Sequence, residues 1–284
     1  MLYSVAAAVL SLALAPVYDG LERKIRAAIH TRIGPPILQT WYDILKLFTK
    51  EIVVPVGGAW YTLVTALELL ALIASSAILY HISSYGLGHA TLLESVAFIV
   101  LTSVVATLAI VRAVSQNNVF SVVGGFREFS LMLSAEPFLA VSFLLLASGA
   151  GSLASKSIAT AVLAVSSYVI SGRVPYDIAE AEPELASGVN IELAGPLLGL
   201  ATISSVLKKL VSATLTALAL ISFVGLSGLS SLTAVVIATP VVWLVHTVVS
   251  TILGRSRVDL AIRFLYVLLF FLSSTLVLSF GLGL

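Results

Sequence analysis

Long apolar stretches alternate with short charged links along the whole 284-residue chain. A helix needs roughly 20 mostly apolar residues to cross the hydrocarbon core of a membrane, and eight stretches come near or exceed that length. The pattern predicts an all-α integral membrane protein of about eight transmembrane helices, with one membrane domain over residues 1–284. The predicted spans are about 2–18, 59–83, 92–114, 129–150, 156–171, 197–226, 231–253 and 258–282.

The first link carries a second periodic pattern. Its run Gly34-Pro35-Pro36 must interrupt a helix, because proline fixes φ and lacks an amide donor. Beyond this run, apolar residues recur at helical spacing, and Asp43 and Lys46 lie on the opposite face. We therefore predict an amphipathic helix of about residues 37–51 on the cytoplasmic membrane surface. It is either a plain surface anchor or one wall of a cavity.

Composition agrees with a membrane protein and excludes several kinds of site. Only 10% of the residues are charged and 59% are hydrophobic, whereas soluble domains have about 25% charged residues. The chain has no cysteine, which excludes disulfides, zinc thiolates and cysteine-ligated iron–sulfur clusters from this chain. The four histidines show no i,i+4 pair, so we predict no metal or redox cofactor here. Nor does any basic run indicate nucleic-acid binding.

Basic residues predict the orientation. With eight spans, the links after spans 1, 3, 5 and 7 lie on one side, and those links with their helix ends hold 12 of the 15 Lys and Arg residues. The other three are Lys156, on the opposite side, and Lys208 and Lys209, within the sixth span. Because basic residues favour the cytoplasmic side, we expect the odd links in the cytoplasm and both termini outside.

The link of about residues 172–195, after the fifth span, is rich in acids. Its carboxylates lie within 16 positions, and they are Asp177, Glu180, Glu182, Glu184 and Glu192. The alternative is a solvated acidic loop. However, Arg173, Pro175 and Tyr176 form a turn that such a loop rarely contains. Repulsion among partly buried carboxylates favours proton uptake near neutral pH, so we interpret this link as functional.

Charged residues also lie inside predicted spans and away from their ends, namely Glu68, Glu136, Lys208 and Lys209. A charge at the bilayer centre costs about 2.5–3.5 kcal/mol on insertion scales, so such residues usually face the bundle interior and mark an ion path. Glu136 precedes Pro137, which removes a backbone hydrogen bond from its helix. The competing interpretation is structural pairing, for example of one of these acids with Lys208.

Together these segments resemble the complex I subunit 1 family, the NuoH type, over nearly the whole chain. The resemblance rests on Glu22-Arg23-Lys24, Arg32, Gly34-Pro35, the segment from Asp43 to Glu51, Arg127-Glu128, Ala135-Glu136-Pro137, the segment from Arg173 to Glu192, and Arg255-x-Arg257-x-Asp259. Gly34-Pro35-Pro36 and Arg127-Glu128 look like the versions in energy-converting membrane-bound [NiFe] hydrogenases and formate hydrogenlyases. In the sixth span, Ser204 and Ser205 stand where the complex I branch usually carries an acid.

The resemblance implies a multi-pass subunit of a respiratory oxidoreductase in a prokaryotic plasma membrane. Partner subunits would hold the [4Fe–4S] clusters and, in the hydrogenase branch, the nickel–iron centre. This chain would dock a large and a small iron–sulfur subunit and relay redox energy to antiporter-like subunits that move protons or sodium ions. The implied relay residues are Glu68, Glu136, Asp177, Glu180, Glu182, Glu184, Glu192, Lys208 and Lys209. The implied docking and cavity residues are Glu22, Arg23, Arg26, Arg32, Gly34, Pro35, Pro36, Asp43, Lys46, Arg127, Glu128, Arg173, Arg255, Arg257 and Asp259.

Four alternatives remain at this point. The chain could be the quinone-binding subunit of a complex I-like dehydrogenase, or a subunit of a related reductase of sulfur compounds. A stand-alone secondary transporter is a third possibility, although the chain lacks the internal repeat common in that class. The fourth is a structural anchor that conducts no ions.

Overall fold

The chain is described here from a computed structural model, over residues 2–53, 59–179 and 188–281. Within these ranges it forms nine α-helices: α1 Leu2–Ile29, α2 Gln39–Phe48, α3 Ala59–Ser83, α4 Leu92–Ser115, α5 Val119–Ala147, α6 Leu153–Ile170, α7 Gly195–Ile221, α8 Gly228–Ile252 and α9 Val258–Gly281. Three short 3-10 turns also occur in them, at Leu87–His89, Gly188–Asn190 and Ser222–Val224.

Eight of these helices, all except α2, are long and apolar enough to cross a membrane. This confirms the predicted all-α membrane fold. The predicted amphipathic helix is present as α2, although it is shorter than the predicted 37–51. The sixth span, α7, is not interrupted at Lys208 and Lys209.

Two predicted ends were wrong because charged residues do not stop these helices. Helix α1 was predicted to end near residue 18 but continues to Ile29. Ion pairs at i,i+4 stabilise its extension, and they join Asp19 with Arg23 and Glu22 with Arg26. Arg23 and Arg26 therefore lie on a helix and not in a flexible link.

Helix α5 begins ten residues earlier than the predicted 129. Asn118 is its N-cap, and the Asn118 side chain accepts a hydrogen bond of 2.9 Å from the backbone N–H of Phe120. Such a bond satisfies one of the free amides of the first turn. Arg127 and Glu128 consequently lie on the transmembrane helix.

Helix α7 is at the centre of the bundle. In its most apolar stretch 67% of the residues are buried, against 22% in the peripheral α9. Small residues on α7 allow close helix packing, and their hydroxyls bond to neighbours. Ser212 donates to the Ser167 carbonyl at 2.7 Å, and the Ser167 and Thr216 hydroxyls lie 3.0 Å apart. The core thus fixes α7 against α6.

Gly20 is the point of closest approach between α1 and the segment before α2. A Cβ atom at Gly20 would lie 1.8 Å from the backbone oxygen of Ile37. No atom can occupy that position, so the two backbones are in contact because residue 20 has no side chain. This contact sets the position of α2 next to α1.

We expect Gly20→Ala to lower the stability of the protein. Overpacking typically costs about 1–3 kcal/mol. Because the clash is with backbone atoms, which cannot move aside easily, this cost exceeds the ~1 kcal/mol of helix propensity that alanine gains over glycine. Gly254→Ala is the matched control, because nothing lies within 4 Å of a Cβ at Gly254. Thermal unfolding in detergent measures both variants. Equal unfolding temperatures for the Gly20→Ala and Gly254→Ala variants would contradict the close contact at Gly20.

Candidate functional site: a charged cavity in the membrane domain

A cavity of about 470 Å³ lies among α1, α3, α4, α5, α7 and the segment that follows α6. Its wall contains eleven charged residues among the described part of the chain. The acids are Asp19, Glu22, Glu68, Glu128 and Asp177, and the bases are Arg23, Arg26, Arg112, Arg173, Lys208 and Lys209. Lys208 is the central residue of α7, Gly195–Ile221, so the cavity reaches the middle of a helix that is long and apolar enough to cross a membrane. Ionisable groups at that depth usually serve an ion path or pair with each other.

The most buried ion pair is formed by Glu22 and Arg173. Each is 2% exposed, and Arg173 Nη1 lies 2.9 Å from Glu22 Oε2. The indole N–H of Trp243 donates to the same oxygen at 2.9 Å, and the Arg173 guanidinium lies 4.8 Å from the Trp243 ring centroid. The pair therefore connects α1, α8 and the start of the 171–179 segment.

A second group of charges joins α1, α2 and α7 around Asp19. One oxygen of Asp19 accepts from Lys209 Nζ at 2.8 Å, and the other accepts from Arg23 at 3.1 Å and from Thr40 at 3.0 Å. Arg23 also reaches Asp43 on α2 at 3.1 Å. The surface helix is thus tied to the cavity wall through α1, which supports its interpretation as part of the site.

Two further pairs lie in the wall formed by α3, α4, α5 and α7. Lys208 donates to Glu128 at 2.6 Å, across α7 and α5. Glu68 on α3 lies 3.4 Å from Arg112 on α4, within ion-pair distance. Lys208 does pair with an acid, as the structural alternative held, but the acid is Glu128 and not one of the two mid-span glutamates.

The segment after α6 is held in place on three sides. The Tyr168 hydroxyl donates to the Val174 carbonyl at 2.5 Å, and Arg173 contacts Thr247 on α8 at 3.4 Å. Asp177 accepts from Arg255 at 2.8 Å. Burial raises the pKa of Asp177 above its usual 3.8, and Arg255 partly opposes that rise. Asp177 therefore binds a proton more readily than a solvated aspartate does.

Not all predicted site residues meet in this cavity. Of the predicted relay residues, the cavity brings together Glu68, Asp177, Lys208 and Lys209. Glu136 bonds to Ser103, and Glu192 accepts from Asn118, so both have partners away from the described cavity wall. Asp177 and Glu192 have different hydrogen-bond partners, Arg255 and Asn118. The predicted relay residues Glu180, Glu182 and Glu184 lie outside the described residues.

The predicted docking residues divide in the same way. Those in the cavity wall are Glu22, Arg23, Arg26, Glu128 and Arg173. Asp43 and Arg255 each pair with a wall residue. The rest are half-buried or exposed and do not line it, namely Arg32, Gly34, Pro35, Pro36, Lys46, Arg127, Arg257 and Asp259.

Sequence reasoning missed Asp19, Arg112 and Trp243 as site residues. Arg112 was counted only among the basic residues at helix ends, and the i,i+4 spacing to Arg23 was a signal for Asp19. Trp243 offered no signal, because an aromatic residue in an apolar span is usually core. Within the described residues, no group of three or more His, Asp or Glu side chains is placed to hold a metal ion.

Comparison with known proteins identifies the family. Residues 2–280 match the family model described as NADH dehydrogenase. The chain belongs to this NADH dehydrogenase family. It is 32% identical over 235 residues to hydrogenase-4 component C of Escherichia coli, covering 76% of this chain and 73% of that one.

Other members of the NADH dehydrogenase family come from hydrogenase-type and dehydrogenase-type complexes. Formate hydrogenlyase subunit 4 of Escherichia coli is 26% identical over 228 residues, 74% of each chain. A subunit of the NADH-quinone oxidoreductase of Aquifex aeolicus is 28% identical over 224 residues, 67% of this chain and 66% of that one. The family assignment agrees with the resemblance inferred from the sequence.

The fold also matches a solved structure. A chain of the membrane-bound sulfane sulfur reductase, an archaeal respiratory membrane complex, superimposes with a TM-score of 0.77 over 97% of both chains, at 19% identity. The two chains therefore share a fold. The family model and the relatives show a multi-pass membrane subunit of the kind found in complex I-like hydrogenases and dehydrogenases.

Proposed function

We propose that this chain is the membrane-anchor and coupling subunit of a complex I-like oxidoreductase of the membrane-bound hydrogenase type. The observation that carries the proposal is the cavity lined by ion pairs, which extends from the 171–179 segment to Lys208 at the centre of α7. Residues of this wall, among them Glu68, Lys208 and Lys209, lie within spans, where a charge carries an insertion cost that a purely structural anchor has no need of. The relatedness to hydrogenase-4 component C favours the hydrogenase branch.

In this proposal the side of the membrane domain that carries most of the charged residues binds the large and small redox subunits. The chain has no cysteine to bind an iron–sulfur cluster, so clusters and a nickel–iron centre belong to the docked large and small subunits. Exposed basic residues of the odd links, including Arg32, Lys46 and Arg257, contribute to docking. The distribution of basic residues puts this side in the cytoplasm and both termini outside a prokaryotic plasma membrane.

The coupling route starts at the cavity and continues through the bundle. A second cavity of about 30 Å³ shares Met132, Ile170 and Lys208 with the first, and Thr102 also lines it. That volume exceeds the about 10–15 Å³ that a single water molecule needs, and the lining of the cavity is almost entirely apolar. Ser103, next to Thr102, bonds Glu136. In this proposal a change at the Lys208–Glu128 pair is passed to Glu136 and on to antiporter-like subunits.

Isolation of the intact complex tests the electron acceptor. We expect a complex purified through a tag on this chain to contain an iron–sulfur small subunit and a large subunit with two Cys-x-x-Cys motifs, and to evolve hydrogen from reduced methyl viologen. Assays of quinone and sulfane sulfur reduction run in parallel, since relatives include a quinone oxidoreductase and the fold matches a sulfur reductase chain. Either of those activities without hydrogen evolution would contradict the hydrogenase assignment.

A further inference from the structure

The link between α8 and α9, residues 253–257, is exposed except for Ser256, which is half-buried. The described hydrogen bonds that it makes outside α8 and α9 go to the segment after α6. Ser256 donates to the Pro175 carbonyl oxygen twice, from its backbone N–H at 3.2 Å and from its hydroxyl at 2.7 Å. Arg255 Nη2 donates to Asp177 Oδ2 at 2.8 Å. The link and the segment after α6 therefore form one hydrogen-bonded unit.

The Arg255–Asp177 pair connects the charged cavity to the surface of the protein. Asp177 lines the cavity, whereas Arg255 lies outside the described cavity wall. The side chain of Asp177 is 26% exposed and that of Arg255 is 35% exposed. Since Arg255 belongs to an exposed link, a movement of that link changes the surroundings of a carboxylate in the cavity wall.

Arg255 opposes the effect of burial on Asp177. Burial raises the pKa of Asp177, and the hydrogen bond and the charge of Arg255 lower it. The charges of Lys209 on α7 and Arg26 on α1 also lower this pKa, but both residues form ion pairs with other acids. Among the described residues, Arg255 is thus the cation that bonds directly to Asp177. Without this bond, a largely buried carboxylate becomes neutral more readily by binding a proton.

We propose that Arg255 is a positioning residue that holds the Asp177 carboxylate charged and in place, and that opening of this pair lets Asp177 take up a proton. The two hydrogen bonds from Ser256 to Pro175 fix the link against the segment and so set the distance between the paired side chains. When the pair opens, the proton comes from the aqueous phase and the guanidinium turns to solvent. The inference deepens the proposed function, because it names the residue that controls one relay group, and so it rests on that function.

An infrared pH titration of the purified complex tests the role of Arg255. The C=O stretch of a protonated carboxyl group is separate from the carboxylate bands, and subtraction of the spectrum of Asp177→Asn isolates the signal of residue 177. Because solvent partly screens the pair, we expect Arg255→Met to move the midpoint of this signal by about 0.5–1 pH unit to higher pH, a three- to tenfold change in proton affinity. An unchanged midpoint would overturn the proposal.

Two variants are the controls for this titration. Arg255→Lys keeps a charge beside Asp177 and should restore most of the midpoint. Arg257→Met removes an arginine from the same link, where it is 78% exposed and 3.5 Å from Asp259, and should leave the midpoint of Asp177 as in the parent. An equal shift in Arg257→Met would mean that the net charge of the link, and not the bond from Arg255, sets the protonation, which would also overturn the proposal.

The pH profile of coupling separates positioning from a purely structural role. In proteoliposomes we expect Arg255→Met to move the pH dependence of the number of ions moved per electron to higher pH, and Arg255→Lys to restore it. A ratio lowered equally at every pH would show that Arg255 only stabilises the fold, against the proposal. Since the infrared titration needs neither electron transfer nor ion movement, its failure is distinguishable from a failure of the proposed coupling function.

Discussion

Replacement of Lys208 by methionine is expected to abolish ion translocation while electron transfer continues. The change removes the cation from a pair joined at 2.6 Å, in which the Lys208 and Glu128 side chains are only 12% and 15% exposed. A buried carboxylate without its partner becomes neutral by binding a proton. The Lys208–Glu128 pair can then no longer change its protonation during turnover. We expect at least a tenfold loss of ion movement, corresponding to ~1.4 kcal/mol or more.

Two further variants give the control for this prediction. Lys208→Arg keeps the charge and should retain most ion movement. Lys156→Met removes a lysine at the first turn of α6, outside the described cavity wall, and should behave like the parent. A potential-sensitive dye in proteoliposomes reports all three. Equal loss in Lys156→Met would mean that the effect is not specific to the cavity.

The second large effect is expected at Arg173. Arg173→Met leaves Glu22 buried at 2% exposure without its guanidinium. Breaking a buried ion pair by removing one partner typically costs about 3–5 kcal/mol. Trp243 still donates to Glu22 but brings no charge, while Arg26 and Lys209 remain at 3.0 and 3.9 Å from the other oxygen. We expect the unfolding temperature of the detergent-purified complex to fall clearly.

A double variant distinguishes the charge from lost packing. Glu22→Gln combined with Arg173→Met removes both charges and should recover most of the lost stability. Arg257→Met is the surface control, since Arg257 and Asp259 are 78% and 59% exposed at 3.5 Å and such pairs contribute only about 0–1 kcal/mol. No recovery in the double variant would show that Arg173 stabilises by packing alone.

The hydrophobic pattern was sufficient to predict the eight spans, because helix length in a membrane is set by the thickness of the hydrocarbon core. It was insufficient for the ends of α1 and α5. There charged residues continue the helix, since their side chains find partners within the bundle. Glu22 and Arg26 pair on one helix face, and Glu128 reaches Lys208 across to α7.

The pairing of the charged residues could not be predicted from the sequence alone. The residues that meet at Glu22 are separated from it by 151 positions for Arg173 and by 221 for Trp243. Nothing in local spacing connects them, because the contact depends on how α1, α8 and the segment after α6 pack. The acidic link illustrates the same limit: Asp177 and Glu192, 15 positions apart, bond to Arg255 and Asn118 on different elements.

The most direct test of the coupling role is the number of ions moved per electron, measured in the same proteoliposomes for the parent, Lys208→Met and Glu128→Gln. Hydrogen evolution from reduced methyl viologen gives the electron count, and a pH or sodium indicator gives the ion count. We predict a constant ratio in the parent and a ratio near zero in both variants, with hydrogen evolution retained. An unchanged ratio in both variants would contradict the role of this cavity in coupling.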